Sequence, residues 1–329
     1  MSRHYEHVLS FAIEHPWAMT RGMGPVVAGI IARHIAAHDT DPAEIQAALV
    51  NRKNLPQPAK GTVALIPVYG VIAPRLNLMS DFSGGTTFEA LTQQLNAAIA
   101  NPDVKTIVFD VDSPGGNVAG ATEFARAMLK ARAQKPIIAV AQYLMASAAY
   151  WTMSCATEIV AAPSARVGAV EVYALYDDIS EALAKEGIKR TLISAGKFPP
   201  EGPDGGPPSE ALQAHIKALC ETFYAYQVAD IALGRGVKEA AVRNGWGDGR
   251  VVNADAALAL GMITKIGTLN DTLARLMTPA PAAPPIPALP LDDTTAKATA
   301  AGAATPPAQE PTSDTDWQNR VTAELMTLD

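Results

Sequence analysis

Between His38 and His215 this chain of 329 residues contains no histidine. A serine nucleophile in that long central stretch has no local imidazole to take its proton, so it must use another base or not act at all. Cysteine is equally scarce. Cys155 and Cys220 stand far apart, without companion histidine or cysteine at metal-ligand spacing, which argues against a disulfide framework and a zinc site and fits a reducing compartment. No metal and no cofactor is expected. Dense lysine or arginine runs are missing, with 26 basic residues against 33 acidic ones, which speaks against nucleic-acid backbones and anionic membranes as partners. From Pro279 onward there are seven acids and two bases, so the body of the chain is nearly neutral. A long apolar run is also lacking. Glu6 and Glu14 interrupt the first apolar pattern, and the run from Gly24 to Ala32 stops at Arg33-His34, too short to cross a bilayer. The expectation is a cytoplasmic protein without a membrane anchor.

What is present is an α/β texture. Residues 1–50 carry helical periodicity, with a helix start at Asp41-Pro42-Ala43-Glu44, and 1–60 read as a helical N-terminal extension. From Thr62, β-rich runs alternate with helical ones: strands at Thr62 to Tyr69, Lys105 to Val111 and Pro136 to Ala141, helices at Phe88 to Ala100 and Ala119 to Ala133. Such alternation predicts parallel pairing through helical crossovers. Farther on, Ser147 to Ala156 reads as helix, Ile159 to Ala162 and Arg166 to Val172 as strands, Asp178 to Lys185 as helix and Arg190 to Ser194 as strand. A loop rich in Pro and Gly follows at 198–208, then helices at Ser209 to Leu233, Val237 to Arg243, Asn253 to Leu260 and Leu269 to Leu276. The nine prolines between Pro279 and Pro311 cannot build a packed core. The domain boundaries expected are therefore 61–277 for the main domain and 278–329 for an acidic, mostly disordered Pro/Ala tail. Trp317, Val321, Leu325 and Leu328 recur there at helical spacing, either as a frayed end or as a helix that orders on a partner.

Three places could carry chemistry. Asp112-Ser113-Pro114-Gly115-Gly116 follows an apolar strand, and two glycines at a strand's carboxyl end let backbone amides approach a ligand oxygen, as an oxyanion hole requires. The plainer reading is an ordinary strand-to-helix turn. Ser147, in Met145-Ala146-Ser147-Ala148-Ala149-Tyr150, follows a neighbouring strand at the same end of the sheet, where such folds place their sites. Its plainer reading is a helix cap in a tightly packed corner. Lys197 ends Ser194-Ala195-Gly196-Lys197 after an apolar run; desolvation there could deprotonate it for service as a base, whereas most lysines are solvated surface charges.

Together, in this order and at these separations, the three motifs resemble the signal peptide peptidase A (protease IV) family of serine peptidases over roughly Val63 to Leu276. Asp248-Gly249-Arg250-Val251 resembles the family's closing segment. The resemblance implies a Clp protease/crotonase-like spiral of ββα units, ring-shaped homo-oligomers and a Ser/Lys dyad. In it Ser147 is the nucleophile, Lys197 the general base, and the Gly115-Gly116 turn the oxyanion donor; Ala148, Gly168 and Ala169 complete the oxyanion and substrate-binding set. Val68-Tyr69-Gly70-Val71-Ile72-Ala73-Pro74 and Asp81-Phe82-Ser83-Gly84-Gly85 place the chain nearest the capsid-assembly branch of tailed phages and prophages. That branch cleaves scaffold and capsid proteins inside a procapsid. The pattern departs at Gly168-Ala169-Val170-Glu171-Val172, where the family has a serine that hydrogen-bonds the catalytic lysine and this chain has Ala169. Ser194 or water could take over that role, and Glu171 either pairs with Lys197 or points to solvent from an edge strand.

Three functions compete at this point: a Ser/Lys peptidase of capsids, signal peptides or proteins in general, an acyl-CoA enzyme on the same fold, and a catalytically silent assembly protein. The acyl-CoA reading leaves Ser147 and Lys197 without a role, and the silent reading draws only on Ala169 and Glu171. Substrate is expected to dock as an extended strand near Arg166 to Val172, with small apolar residues before the cut.

Overall fold

In the computed structural model, residues 16–20, 63–75, 86–176, 178–191, 193, 206–246 and 249–277 are described. All of them fall within one compact unit, Met1–Pro279. Its centre is a parallel sheet of three long strands: β2 (Val63–Tyr69), β5 (Thr106–Ser113) and β7 (Ile137–Ala146). β2 alternates buried and half-exposed residues, as a strand at the sheet margin should, while β5 and the first half of β7 are buried almost continuously. Two short strands, β3 (Ile72–Ala73) and β4 (Thr86–Thr87), lead from β2 into helix α1 (Phe88–Ala100). Thr87 caps that helix by accepting from the Ala90 amide. Its apolar stripe Phe88, Leu91, Leu95 and Ala98 packs on the sheet, as does the stripe of α2 (Ala121–Arg132), which returns the chain from β5 to β7.

β7 forks. Its first half pairs with β8 (Glu158–Ala161), and its last three residues pair instead with β9 (Arg166–Gly168), Ala146 standing opposite Gly168. β10 (Val251–Asn253) runs antiparallel along β9, and β11 (Lys265–Ile266) extends β8. Between β7 and β8 the chain forms α3 (Ala148–Met153), all six residues of which are buried. The 26-residue α5 (Glu210–Arg235) packs on α3, after the short α4 (Ser180–Lys185) and before α6 (Glu239–Gly245), α7 (Ala254–Ala259) and α8 (Leu269–Met277). The opposite face of the sheet is closed by Leu269, Leu273 and Leu276 of α8 over Val108, Ile138, Val140 and Val160.

The α/β class, the parallel pairing and the main helices agree with the sequence reading; α1 has the predicted bounds. Three expectations are corrected. Trp17–Met19 form a strand, β1, within the region read as helical, because their backbone bonds go to β6 (Gly115–Asn117) and not to their own turn. The expected strand from Arg166 to Val172 ends at Gly168, where Gly168 and Ala169 both take positive φ. No strand forms at Arg190, Thr191 or Ile193, and Ser194 lies outside the described residues. The rest of the N-terminal extension and all of the tail also lie outside them.

Close backbone approach sets one firm constraint. A Cβ on Gly234 would lie 2.6 Å from the Ser154 carbonyl oxygen at the end of α3. Gly234→Ala is therefore expected to destabilise the protein by about 1–3 kcal/mol through overpacking. A lower urea midpoint at an unchanged slope would be the measured signature.

Candidate active site

β5 and β7 bring the first two sequence motifs together. Their register slips between Val111 and Ser113, so that Ser113 stands opposite Met145, and the turn after one strand meets the corner after the other. Ser147 occupies that corner with φ 50° and ψ −115°. A non-glycine residue in this conformation is strained, and strain of this kind is characteristic of sites where geometry matters more than stability. Its side chain makes no cap hydrogen bond to α3, which removes the plainer reading of Ser147 as a helix cap. The Ser147 amide instead donates to the Gly168 carbonyl at 2.7 Å, and its hydroxyl donates to the Glu171 carbonyl at 3.3 Å.

Gly115 has φ +100°, and a Cβ there would lie 2.9 Å from the Ala146 carbonyl oxygen and 3.0 Å from the Ala148 amide nitrogen. Only glycine leaves room over Ala148, room that the Ala18 carbonyl oxygen enters, 2.3 Å from where a Cβ on Gly115 would lie. Because the first amides of a helix have no acceptor within it, the Ala148 N–H can donate outward into that space. The turn is braced from behind: the Ser113 hydroxyl donates to the Gly70 carbonyl at 2.6 Å and accepts from the Gly115 amide at 3.2 Å. Gly116 is pressed against Ile72, since a Cβ would lie 1.9 Å from its carbonyl oxygen. An amide, a buried glycine turn and a serine hydroxyl thus converge, which is the geometry that stabilises charge on a carbonyl oxygen during acyl transfer.

Helix α3 holds this corner rigidly because its buried polar atoms are all partnered. Tyr150 donates its hydroxyl to the Met262 carbonyl at 2.8 Å, Trp151 donates Nε1–H to Asp230 at 3.0 Å, and Thr152 bonds back to the Ala148 carbonyl at 2.9 Å. Burial raises the Asp230 carboxyl above the usual range, opposed by the Trp151 bond and by Arg126, whose Nε lies 3.5 Å away. Burying the Trp151 side chain contributes about 1.5–3 kcal/mol. Cys155, next to this helix, is pushed up to about 12 by burial and by Asp230, which makes it a structural thiol and not a reactive one.

On the far side of Ser147, Gly168 (φ +118°) and Ala169 (φ 53°) form a second corner, pinned where the Ala169 amide donates to the Arg250 carbonyl at 2.9 Å. The segment from Arg250 to Val251 thereby holds Gly168 against Ser147. Ala169 is 2% exposed and presents a methyl group, with no hydroxyl to offer. Glu171 is partly buried and lies off any strand, which corrects the solvent-facing edge position, and its carboxylate lies where a Cβ on Gly249 would be. Lys197, with Ser194, lies outside the described residues, so the structure joins Ser147, Ala148, Gly115, Gly116, Gly168 and Ala169 and does not describe the lysine.

Sequence reasoning missed a polar cluster on the other face of β5. The Tyr69 hydroxyl donates to Asp110, whose second carboxylate oxygen is buried without a partner among the described residues. Burial, the Asp110 bond and the nearby carboxylates raise Tyr69, and burial raises Asp112. The signal was available as Asp110-Val111-Asp112, two carboxylates at strand spacing opposite Tyr69, in a strand otherwise apolar up to Ser113.

Comparison with known proteins now bears on this geometry. Residues 130–282 match the family model described as Peptidase family S49. That stretch, Ser147 and Gly168 included, is similar to peptidase family S49. Capsid assembly protease C of Escherichia phage lambda is 32% identical over 168 residues, 49% of this chain and 38% of that protein. A head-tail preconnector protein of Enterobacteria phage P21 is 32% identical over 155 residues, 47% of this chain and 30% of that protein. Protease 4 of Salmonella typhi is 27% identical over 225 residues, 67% of this chain and 35% of that protein. The chain thus spans between 30% and 38% of the length of these relatives. Among solved structures, a mutant of the 1510-N membrane-bound stomatin-specific protease with a substrate peptide aligns at a TM-score of 0.40 and 16% identity, over 66% of this chain and 80% of that one. Among the described residues, no helix is long and apolar enough to cross a membrane.

The strain at Ser147 yields a measurable asymmetry. Ser147→Gly, which relieves the positive φ, is expected to be more stable than Ser147→Ala by about 1 kcal/mol, the strain released exceeding the entropy that glycine costs. Equilibrium unfolding of the two variants side by side reads this directly.

Proposed function

We propose that the chain is a serine endopeptidase in which Ser147 is the nucleophile and Lys197 the general base. The observation that carries the reading is the strained Ser147 beside the glycine turn at Gly115 and the Ala148 amide. The similarity of residues 130–282 to peptidase family S49 supports it. In the reaction, the Ser147 hydroxyl oxygen attacks the scissile carbonyl carbon and passes its proton to the Lys197 amine. Ala148 and the Gly115-Gly116 turn receive the negative oxygen of the tetrahedral intermediate. Collapse breaks the C–N bond, Lys197 returns the proton to the departing amine, and water then hydrolyses the ester on Ser147. With Ala169 in place of a hydroxyl, Lys197 is oriented by another group; Ser194 and water are the candidates.

The substrate class we infer is scaffold and capsid protein, acted on within a phage procapsid or the host cytoplasm. Support comes from similarity to a capsid assembly protease and a head-tail preconnector protein. The spiral ββα architecture and a homo-oligomeric ring are part of the same reading, as are the boundaries 1–60, 61–277 and 278–329.

Ser147→Ala is expected to lose labelling by an active-site serine probe, and Ser147→Ala and Lys197→Ala each to lower kcat/KM by roughly 10³-fold or more with folding intact. A base acts only when deprotonated, so kcat/KM should rise with pH to a plateau and fall about tenfold per pH unit below the Lys197 pKa. Labelling that survives Ser147→Ala sinks the assignment, and a pH profile with no ascending limb sinks the role of Lys197.

A further inference from the structure

The backbone edges beside Ser147 are already occupied by a strand from the chain's own N-terminal region. Trp17 exchanges two hydrogen bonds with Tyr173, its amide donating at 2.7 Å and its carbonyl accepting at 3.0 Å. On the other side, the Val118 amide donates to the Pro16 carbonyl at 3.4 Å and the Thr20 amide to the Pro114 carbonyl at 3.0 Å. Antiparallel ladders alternate, so the pair between these two bonds, Ala18 opposite Gly116, is also a hydrogen-bonded pair. Successive residues therefore bond left and right in turn, as a peptide does when inserted between two strands.

Those two edges are the ones that flank the serine. One is the glycine turn itself. The other follows Glu171, whose carbonyl accepts the Ser147 hydroxyl. The Ala18 carbonyl oxygen would lie 2.3 Å from a Cβ on Gly115, and the Ala148 amide 3.0 Å from the same point. A backbone carbonyl of the strand is thus held beside the amide proposed to receive the oxyanion. Ser147 is 0% exposed, and Trp17, Ala18 and Met19 are buried with it. A nucleophile that must meet a polypeptide is closed off, and a polypeptide lies where substrate would enter.

We propose that Pro16–Thr20 is an intramolecular pseudo-substrate that fills the cleft for an extended protein segment and must leave before Ser147 can be reached. This rests on the peptidase reading and adds to it the position and register of the bound substrate strand. A substrate segment makes the same backbone bonds to Gly116 and Tyr173, so it competes directly with β1. Apparent affinity for substrate is lowered by the fraction of molecules in which the strand is docked.

Ala18→Asp places a carboxylate in a fully buried apolar slot and dislodges the strand. A fluorophosphonate probe is expected to label this variant roughly tenfold faster than the wild type or more, because the open fraction rises. Labelling that is no faster, with cooperative unfolding retained, would mean that β1 is a fixed wall of the cleft and overturns the proposal. The second arm needs no catalysis: the inert Ala18→Asp/Ser147→Ala protein is titrated with a fluorescent synthetic peptide of residues 14–22. Saturable binding that Trp17→Ala in the peptide weakens supports the proposal, and no binding overturns it. Should Ala18→Asp fail to fold, hydrogen exchange on the wild type decides, with amides of 17–20 exchanging faster than those of β5 and β7 expected and equal protection overturning. If the peptidase reading itself is wrong, labelling persists in Ser147→Ala while the peptide-binding arm is unaffected, so the two failures are separable.

Discussion

The pairing of β5 with β7 is the constraint on which the site depends. Both strands carry near-continuous apolar runs and are buried on two faces, so their mutual register is fixed by the core and not by the loops. A slip at the last turn of that ladder puts Ser113 opposite Met145. From there the glycine turn and the serine corner are each two residues away on adjacent strands, with no adjustable linker between them. The positioning is inherited from the hydrophobic core, which is the stiffest part of the molecule.

The second requirement is that the corner keep its strain. A six-residue helix could not hold a positive φ at its entrance by itself. Here the helix is sunk into the core and its polar atoms are tied to two distant residues, Met262 and Asp230, and to its own first turn. Moving it would expose Tyr150 and Trp151 and strand several buried donors, a cost larger than the strain.

Much of this was legible in the residues. Phe88 to Ala100 announces a helix through its apolar spacing and Thr87, and the glycine turn and Ser147 stand out because each follows an apolar strand at the same end of the sheet. Arg166 to Val172 was misread because Val167, Val170 and Val172 have strand character, whereas the corner at Gly168-Ala169 is imposed by Arg250 from far along the chain. Trp17-Ala18-Met19 was misread for a related reason. Three residues carry no periodicity of their own, and their conformation is dictated by partners at Gly116 and Tyr173. The Asp110-Val111-Asp112 pattern is visible in the residues, but Tyr69 lies on β2, and only the strand register joins them.

β1 also bears on the order in which the molecule is made. Thr20 and Tyr173, which meet through the tyrosine hydroxyl, are 153 residues apart. Residues 16–20 leave the ribosome before either of their partner edges, β6 and Tyr173, has been synthesised. Closing so long a loop for so few bonds is slow relative to local helix formation. A newly made chain therefore passes through a stage in which the core is built and the strand is still undocked, so that the cleft is formed before it is filled.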